Sequence, residues 1–355
     1  MKEKEKVLSI VGARPQFIKL APLSNHLRTT FDEIIINSGQ HFDANMSQIF
    51  FDDMKIPKPD YDLGVSTGTH AEQTAKILIE IEAIISKESP KYVIVFGDTN
   101  TTLAGTLAAS KLCVPVVHIE SGLRSFDRTM PEEQNRIVSD HLATILACPT
   151  QTAIQNLKRE GITKGVCLTG DLMFDAVLSF NHLFESRSPV DIKNYSVLTM
   201  HRPSNVDKKD QLIKLFDCLQ QLNKAFVFPI HPRTQKAIHD FSINIPDNIM
   251  IIEPLGYLDM MGLITHSDFV FTDSGGLQKE AFFLNKKCVT LRDTTEWIET
   301  IDCDANMLAI DSHGDIKINE IMTFLSDSFS INEKTRPYGN GQAAFEILNC
   351  LKKWQ

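Results

Sequence analysis

The stretch YVIVFGDTNTTLAGTLAASKLCVPVVHIE, residues 92–120, decides the fold. It opens on an unbroken β-branched and aromatic run, YVIVFG (92–97), and closes on a second, VPVVHIE (114–120). Between them GDTNTTLAG (97–105) puts Asp98 at a strand end, with Thr99, Asn100 and Thr101 available to cap a helix. Asp98 as no more than such a cap is the plain alternative to a chemical role. Strands that are apolar at nearly every position are covered on both faces. A strand, a helix and another such strand make a parallel unit.

The same rhythm continues outward. VLSIV (7–11) and EIIIN (33–37) precede the stretch, and VLTMH (197–201), FVFPIH (226–231), IMIIE (249–253), DFVFTD (268–273) and CVTLR (288–292) follow it. These runs are too many for one compact open sheet. They divide near 165–195, where GVCLTGDLMFDAV and the polar ESRSPVDIKNY interrupt the pattern. The expected fold class is α/β, with two doubly wound Rossmann-like domains facing a cleft. The expected domains are 1–168 with the C-terminal helix 340–355, and 169–339.

Ligands of open α/β sheets bind outside the carboxyl ends of the strands. Here those ends lead to Arg14, Asp98 and Glu120 in the first half, and to His201, His231, Ser274 and Arg292 in the second. GARPQFIK (12–19) adds Lys19 on the helix after the first strand. TDSGGLQKEAF (272–282) is the sharpest signal: strand, two glycines, then a helix whose first N–H groups suit a phosphate. Ser274, Gly275 and Gly276 form that turn, and Glu280 lies nearly two helical turns along. PEEQNR (131–136) starts a helix, with proline and acids in the first turn, and puts Glu132 and Arg136 four apart on one face. That pair reads either as a surface ion pair or as an acid backed by a guanidinium.

Composition bounds the partners. The 355 residues are 43% hydrophobic and 23% charged, with a net charge of −9, which disfavours nucleic acid and anionic membranes as partners. Seven dispersed cysteines without a CxxC pair predict reduced thiols and no structural zinc. MKEKEKVLSIVG is too briefly apolar for a secretory leader, and no run reaches a membrane span. A soluble cytoplasmic protein is expected. There is neither a GxGxxG after a strand nor a GxxxxGK[ST], so no dinucleotide or P-loop site is expected.

Taken in order, GARPQFIK, GDTNTTLAG, HIESGLRS, MPEEQNR, HRPSN, TDSGGLQKEA, RDTTEW and PYGNGQAA span residues 12–344. Together they resemble the non-hydrolysing UDP-N-acetylglucosamine 2-epimerase family. The resemblance implies the two-domain fold of one large class of nucleotide-sugar glycosyltransferases (GT-B type), with the C-terminal helix returning to the first domain. It implies epimerisation at C2 of a UDP-2-acetamido sugar by elimination of UDP and re-addition, in polysaccharide biosynthesis. It implies a homodimer and no metal or other cofactor. By the same likeness Asp98, Glu120 and Glu132 are the acid/base candidates. Arg14, Lys19, Arg136 and His201 attend the diphosphate and the departing UDP. His231, Ser274, Gly275, Gly276, Glu280 and Arg292 bind the nucleotide side. GQHFDANM (39–46) keeps Gln40 and His41 but then differs from versions that bind a second UDP-sugar. With GARPQFIK it is closer to a branch acting on UDP-2,3-diacetamido-glucuronate. The alternatives are that substrate, a hydrolysing 2-epimerase, a glycosyltransferase of the same fold, and a non-catalytic nucleotide-sugar sensor.

Overall fold

The computed structural model describes residues 4–40, 51–52, 54–327 and 336–354. His41 and the rest of its motif lie outside the described residues. The chain divides into two compact units, residues 1–179 with 337–355, and residues 180–336.

Unit 1 contains β1 (Lys6–Val11), α1 (Arg14–Thr30), β2 (Asp32–Asn37), β3 (Tyr61–Asp62), α2 (His70–Glu88), β4 (Tyr92–Phe96) and α3 (Asn100–Lys111). It continues with β5 (Val116–Ile119), α4 (Pro131–Leu142), β6 (Ile145–Cys148), α5 (Gln151–Arg159) and β7 (Val166–Leu168), and the unit boundary falls within α6 (Leu172–Glu185). The sheet order is β3-β2-β1-β4-β5-β6-β7, all parallel. Every residue of β4 is buried, as its continuous apolar run requires. α2 turns Ile77, Ile81, Ile84 and Ile85 inward at helical spacing, and Thr69 with Glu72 forms a reciprocal capping box at its start.

Unit 2 contains β8 (Tyr195–Thr199), α7 (Pro203–Val206), α8 (Lys209–Gln221), β9 (Ala225–Pro229), α9 (Pro232–Phe241), β10 (Ile249–Ile252) and α10 (Tyr257–Thr265). Then come β11 (Phe269–Thr272), α11 (Gly275–Phe283), β12 (Lys287–Thr290), α12 (Ile298–Asp302), β13 (Asn306–Leu308) and α13 (Ile318–Ser326). Its parallel sheet runs β10-β9-β8-β11-β12-β13. Phe226 and Phe271 meet edge to face in its core, with ring centres 5.1 Å apart.

The last helix, α14 (Ala343–Lys353), belongs to unit 1. Its first two amides donate to the buried Asp175 carboxylate on α6, at 3.0 and 2.8 Å. The Asp171 amide donates to the Tyr338 carbonyl at 3.0 Å. These bonds tie the start of α6 to the C-terminal segment, so unit 1 runs past the 168/169 boundary read from the sequence. Four strands are additions to that reading: β3, β6, β7 and β13. GVCLTGDLMFDAV does not interrupt the rhythm but holds β7, whose outer edge is uncovered enough to leave Leu168 exposed. No helix among the described residues is long and apolar enough to cross a membrane.

In each sheet the winding reverses beside the first strand, between β1 and β4 and between β8 and β11. Arg14 and Asp98 follow the strands at the first switch point and His201 and Ser274 those at the second, while Glu120, His231 and Arg292 follow the neighbouring strands β5, β9 and β12.

Candidate active site

In unit 1, the turn after β1 and the turn after β4 are joined by Gln16. Its side-chain oxygen accepts from the Gly12 and Ala13 amides at 2.7 and 3.0 Å, and its amide donates to the Phe96 carbonyl at 2.7 Å. Arg14 at the start of α1 is exposed, whereas Lys19, one turn further, is buried. The Lys19 ammonium pairs with the Glu120 carboxylate, and both side chains are about nine-tenths buried. Glu120 ends β5 with φ 69°, a left-handed conformation that costs a non-glycine residue about 1–3 kcal/mol. Gly97 lies beside this carboxylate with φ 64°, a left-handed backbone that suits glycine, and a Cβ there would meet Glu120 Oε2 at 3.6 Å, an ordinary contact distance.

Asp98 follows Gly97 and is half-buried. The cap of α3 is the Thr99 hydroxyl, which accepts from the Thr102 amide. The Asp98 carboxylate instead receives the Arg136 guanidinium from α4, and its carbonyl accepts from Asn135 Nδ2 at 2.9 Å. The other arm of Arg136 donates to Glu133 at 3.2 Å. Arg136 therefore does not pair with Glu132, the acid four residues back. Glu133, three residues back, wins because it lies on the buried face of α4, while Glu132 is exposed. Glu133 also accepts from the Ser125 amide and hydroxyl at 2.8 and 3.0 Å and from the Phe126 amide at 3.1 Å. One buried carboxylate thus braces Arg136 and folds the loop after β5.

In unit 2, Asp273 ends β11 fully buried. It accepts from the His201 amide at 2.9 Å, the Arg202 amide at 2.8 Å and Asn205 Nδ2 at 3.0 Å, with His201 Nδ1 at 3.1 Å. Burial pushes its carboxyl up, but the His201 ring and these amides outweigh it and hold it below the usual carboxylate range. His201 is thereby fixed at the end of β8, with its ring 5.5 Å from that of His231. His231 Nδ1 accepts from the Arg233 amide at 3.1 Å and caps α9. Burial, His201 and Arg233 all push the His231 imidazole down. The Arg233 side chain is taken by Asp207, at 2.9 and 2.5 Å, so it is not a free cation beside His231.

Ser274 is the cap residue of α11, without a side-chain cap bond. Gly275 and Gly276 open the helix and Glu280 is buried in its second turn. A Cβ on Gly275 would stand 2.3 Å from Glu296 Oε1, while Gly276 has no neighbour within 4 Å. Glu296 holds Arg292, two residues past the end of β12, at 3.1 Å. The turn after β11 and the segment after β12 thus sit side by side.

Lys19 with Glu120 and Arg136 with Asp98 gather at the strand ends of unit 1, and His201, His231, Ser274, Gly275, Gly276, Glu280 and Arg292 at those of unit 2. Sequence reasoning passed over Gln16, Glu133, Asn135 and Asp273. Each lies one residue or one turn from a predicted site residue, and only burial distinguishes it.

The UDP-N-acetylglucosamine 2-epimerase family profile matches residues 25–352. The UDP-2,3-diacetamido-2,3-dideoxy-D-glucuronate 2-epimerase of Pseudomonas aeruginosa is 46% identical over 98% of this chain and 99% of its own. A UDP-N-acetylglucosamine 2-epimerase homolog of Methanococcus maripaludis is 44% identical with the same coverage. The crystal structure of Methanocaldococcus jannaschii UDP-GlcNAc 2-epimerase, in complex with UDP-GlcNAc and UDP, superposes with a TM-score of 0.86 at 41% identity, covering 98% of this chain and 99% of that one. The chain belongs to the UDP-N-acetylglucosamine 2-epimerase family.

Proposed function

We propose that the protein interconverts UDP-N-acetylglucosamine and UDP-N-acetylmannosamine without hydrolysis. The C2 hydrogen has no neighbouring carbonyl to acidify it, so direct deprotonation is costly. Loss of the C2 proton to a carboxylate as the C1–O bond breaks, with the electron pair leaving on UDP, avoids a free carbanion and yields a 2-acetamidoglucal. Re-addition of UDP with a proton delivered to the opposite face of C2 gives the epimer.

The observation that carries this reading is the pair of carboxylates at adjacent strand ends, Asp98 and Glu120, each held by a cation. With the exposed Glu132 they supply proton acceptors and donors, and Lys19, Arg136 and Arg14 counter the charge of the departing diphosphate. His201 attends the same leaving group. Ser274, Gly275 and Gly276 at the N-terminus of α11 bind phosphate. His231, Glu280 and Arg292 complete the nucleotide contacts.

A second reading, UDP-2,3-diacetamido-glucuronate as the substrate, is favoured by the 46% identical relative. We further infer a homodimer, from the family resemblance. A cytoplasmic setting suits seven dispersed cysteines with no CxxC pair, and supply of an activated sugar to polysaccharide synthesis suits such a product. The test is to incubate the protein with each nucleotide sugar in turn and follow the anomeric proton signals. A UDP-linked manno product from UDP-N-acetylglucosamine supports the first reading, and turnover of the diacetamido-uronate alone the second. Release of free N-acetylmannosamine would refute the non-hydrolysing route.

A further inference from the structure

Beneath the candidate carboxylates lies a buried chain of charged groups that makes no contact with their reactive ends. His118, in the middle of β5, is fully buried. Its Nδ1 lies 2.7 Å from Asp140 Oδ1 and its Nε2 lies 2.7 Å from the Gly97 carbonyl. The ring thus bridges two acceptors, the Asp140 carboxylate and the Gly97 carbonyl. The other Asp140 oxygen accepts from the Gly122 amide at 3.1 Å and from Arg124 at 2.7 Å. Arg124 is in turn forked onto Glu160, at 2.7 and 2.8 Å.

The geometry matters because of where those bonds end. Gly97 directly precedes Asp98, and Gly122 lies two residues after Glu120. One carboxylate, on the last turn of α4, therefore holds the backbone of both turns. The same helix contributes Asn135 to the Asp98 carbonyl and Arg136 to the Asp98 side chain. The Gly122 turn is further closed by Asn156, which donates to the Gly122 carbonyl at 3.0 Å, and by the Ala147 carbonyl, which accepts from the Glu120 and Ser121 amides, each at 3.1 Å. Gly122 has φ 80° and a Cβ on it would lie 2.4 Å from the Ala153 carbonyl oxygen, so the turn has no slack.

We propose that Asp140, acting through His118 on Gly97 and directly on Gly122, is a positioning residue that fixes Asp98 and Glu120 relative to each other. It touches no substrate. Its effect on rate comes from holding two carboxylates at the separation that the reaction needs, and a shift of about 1 Å in such a group can cost about 100-fold. The inference rests on the reading of Asp98 and Glu120 as the acid and base, and its test separates the two.

The variants are D140N and H118Q. Asparagine cannot accept from His118, Gly122 and Arg124 at once, because one of its two ends is a donor. Glutamine at 118 turns an oxygen toward either Asp140 or the Gly97 carbonyl. L348A, which hollows the α14 contact elsewhere in unit 1, serves as a destabilised control. Two readouts are needed: backbone amide NMR shifts of the unliganded proteins, and kcat with KM for C2 epimerisation. The expected result is displaced Asp98, Glu120 and Gly122 amides in both variants, with His201 and Ser274 unmoved. Alongside it, kcat falls about 10- to 100-fold and KM stays within about threefold, whereas L348A keeps its kcat. Unmoved Asp98 and Glu120 amides, or wild-type kcat despite moved amides, would overturn the proposal. If the amides move but the wild-type protein epimerises no nucleotide sugar, the reaction assignment fails and the placement by Asp140 stands.

Discussion

Asp98→Asn is the perturbation whose consequences follow most fully from the geometry. The substituted amide can still offer an oxygen to the Arg136 guanidinium, and Asn135 still holds the residue 98 carbonyl at 2.9 Å. The turn therefore keeps its shape, and what is lost is the charge and the capacity to exchange a proton. The Asp98 side chain is 27% exposed, so the Arg136 pair contributes at most about 1 kcal/mol to stability. That corresponds to a Tm change of about 1–2 °C for a protein of this size. Removal of a general acid or base costs about 10²–10⁴ in rate, or about 3–5 kcal/mol on the barrier. The nucleotide contacts proposed above fall to other residues, so UDP affinity is expected within about twofold of wild type. Three assays decide the matter: C2 epimerisation rate, calorimetric titration with UDP, and thermal unfolding. Turnover within fivefold of wild type would refute a chemical role for Asp98. Loss of UDP affinity in step with turnover would make it a binding residue instead.

Other predictions concern the supports. Glu133→Gln leaves at least one of four donors facing an amide NH₂ in a buried site, and urea unfolding is expected to show a loss of about 2–4 kcal/mol. A loss below about 0.5 kcal/mol would mean that the loop after β5 is held by other contacts. Asp273, whose ordinary value is near 3.8, is held below it in the folded protein. Its stabilising contribution is therefore present above that value and lost as the pH falls through the lower folded one. Denaturant titrations between pH 5 and 2, read from the buried Trp297, are expected to lose this acid dependence in D273N. Gly275→Ala is expected to push Glu296 off Arg292, weakening UDP binding about tenfold while barely changing Tm, because alanine also favours the helix. Unchanged UDP affinity in that variant would separate Arg292 from the nucleotide.

The α/β class was legible because nine strands are apolar along most of their length, and strands of that kind admit few other surroundings. The strands that escaped notice are short or lie at the edge of the sheet. β3 has two residues, β7 and β13 have three, and ILAC of β6 carries too little β-branched character to stand out. Among the candidate residues, the position of those at strand ends was legible because doubly wound sheets expose those ends to ligands. The partner of Arg136 was not. Helical spacing offers Glu132 and Glu133 almost equally, and only the packing of α4 decides which faces inward. His118 reads as filler in an apolar run, and Asp140 as an ordinary helix acid, since a side chain's role beneath a turn leaves no periodic trace.

The most direct test of the account is incorporation of solvent hydrogen at C2. UDP-N-acetylglucosamine incubated with the protein in D₂O is expected to yield UDP-N-acetylmannosamine carrying deuterium at C2, seen by proton NMR as loss of the C2 signal and collapse of its coupling to the anomeric proton. Epimer formed with the original hydrogen retained at C2 would contradict proton exchange through Asp98, Glu120 and Glu132, and with it the chemistry assigned to this site.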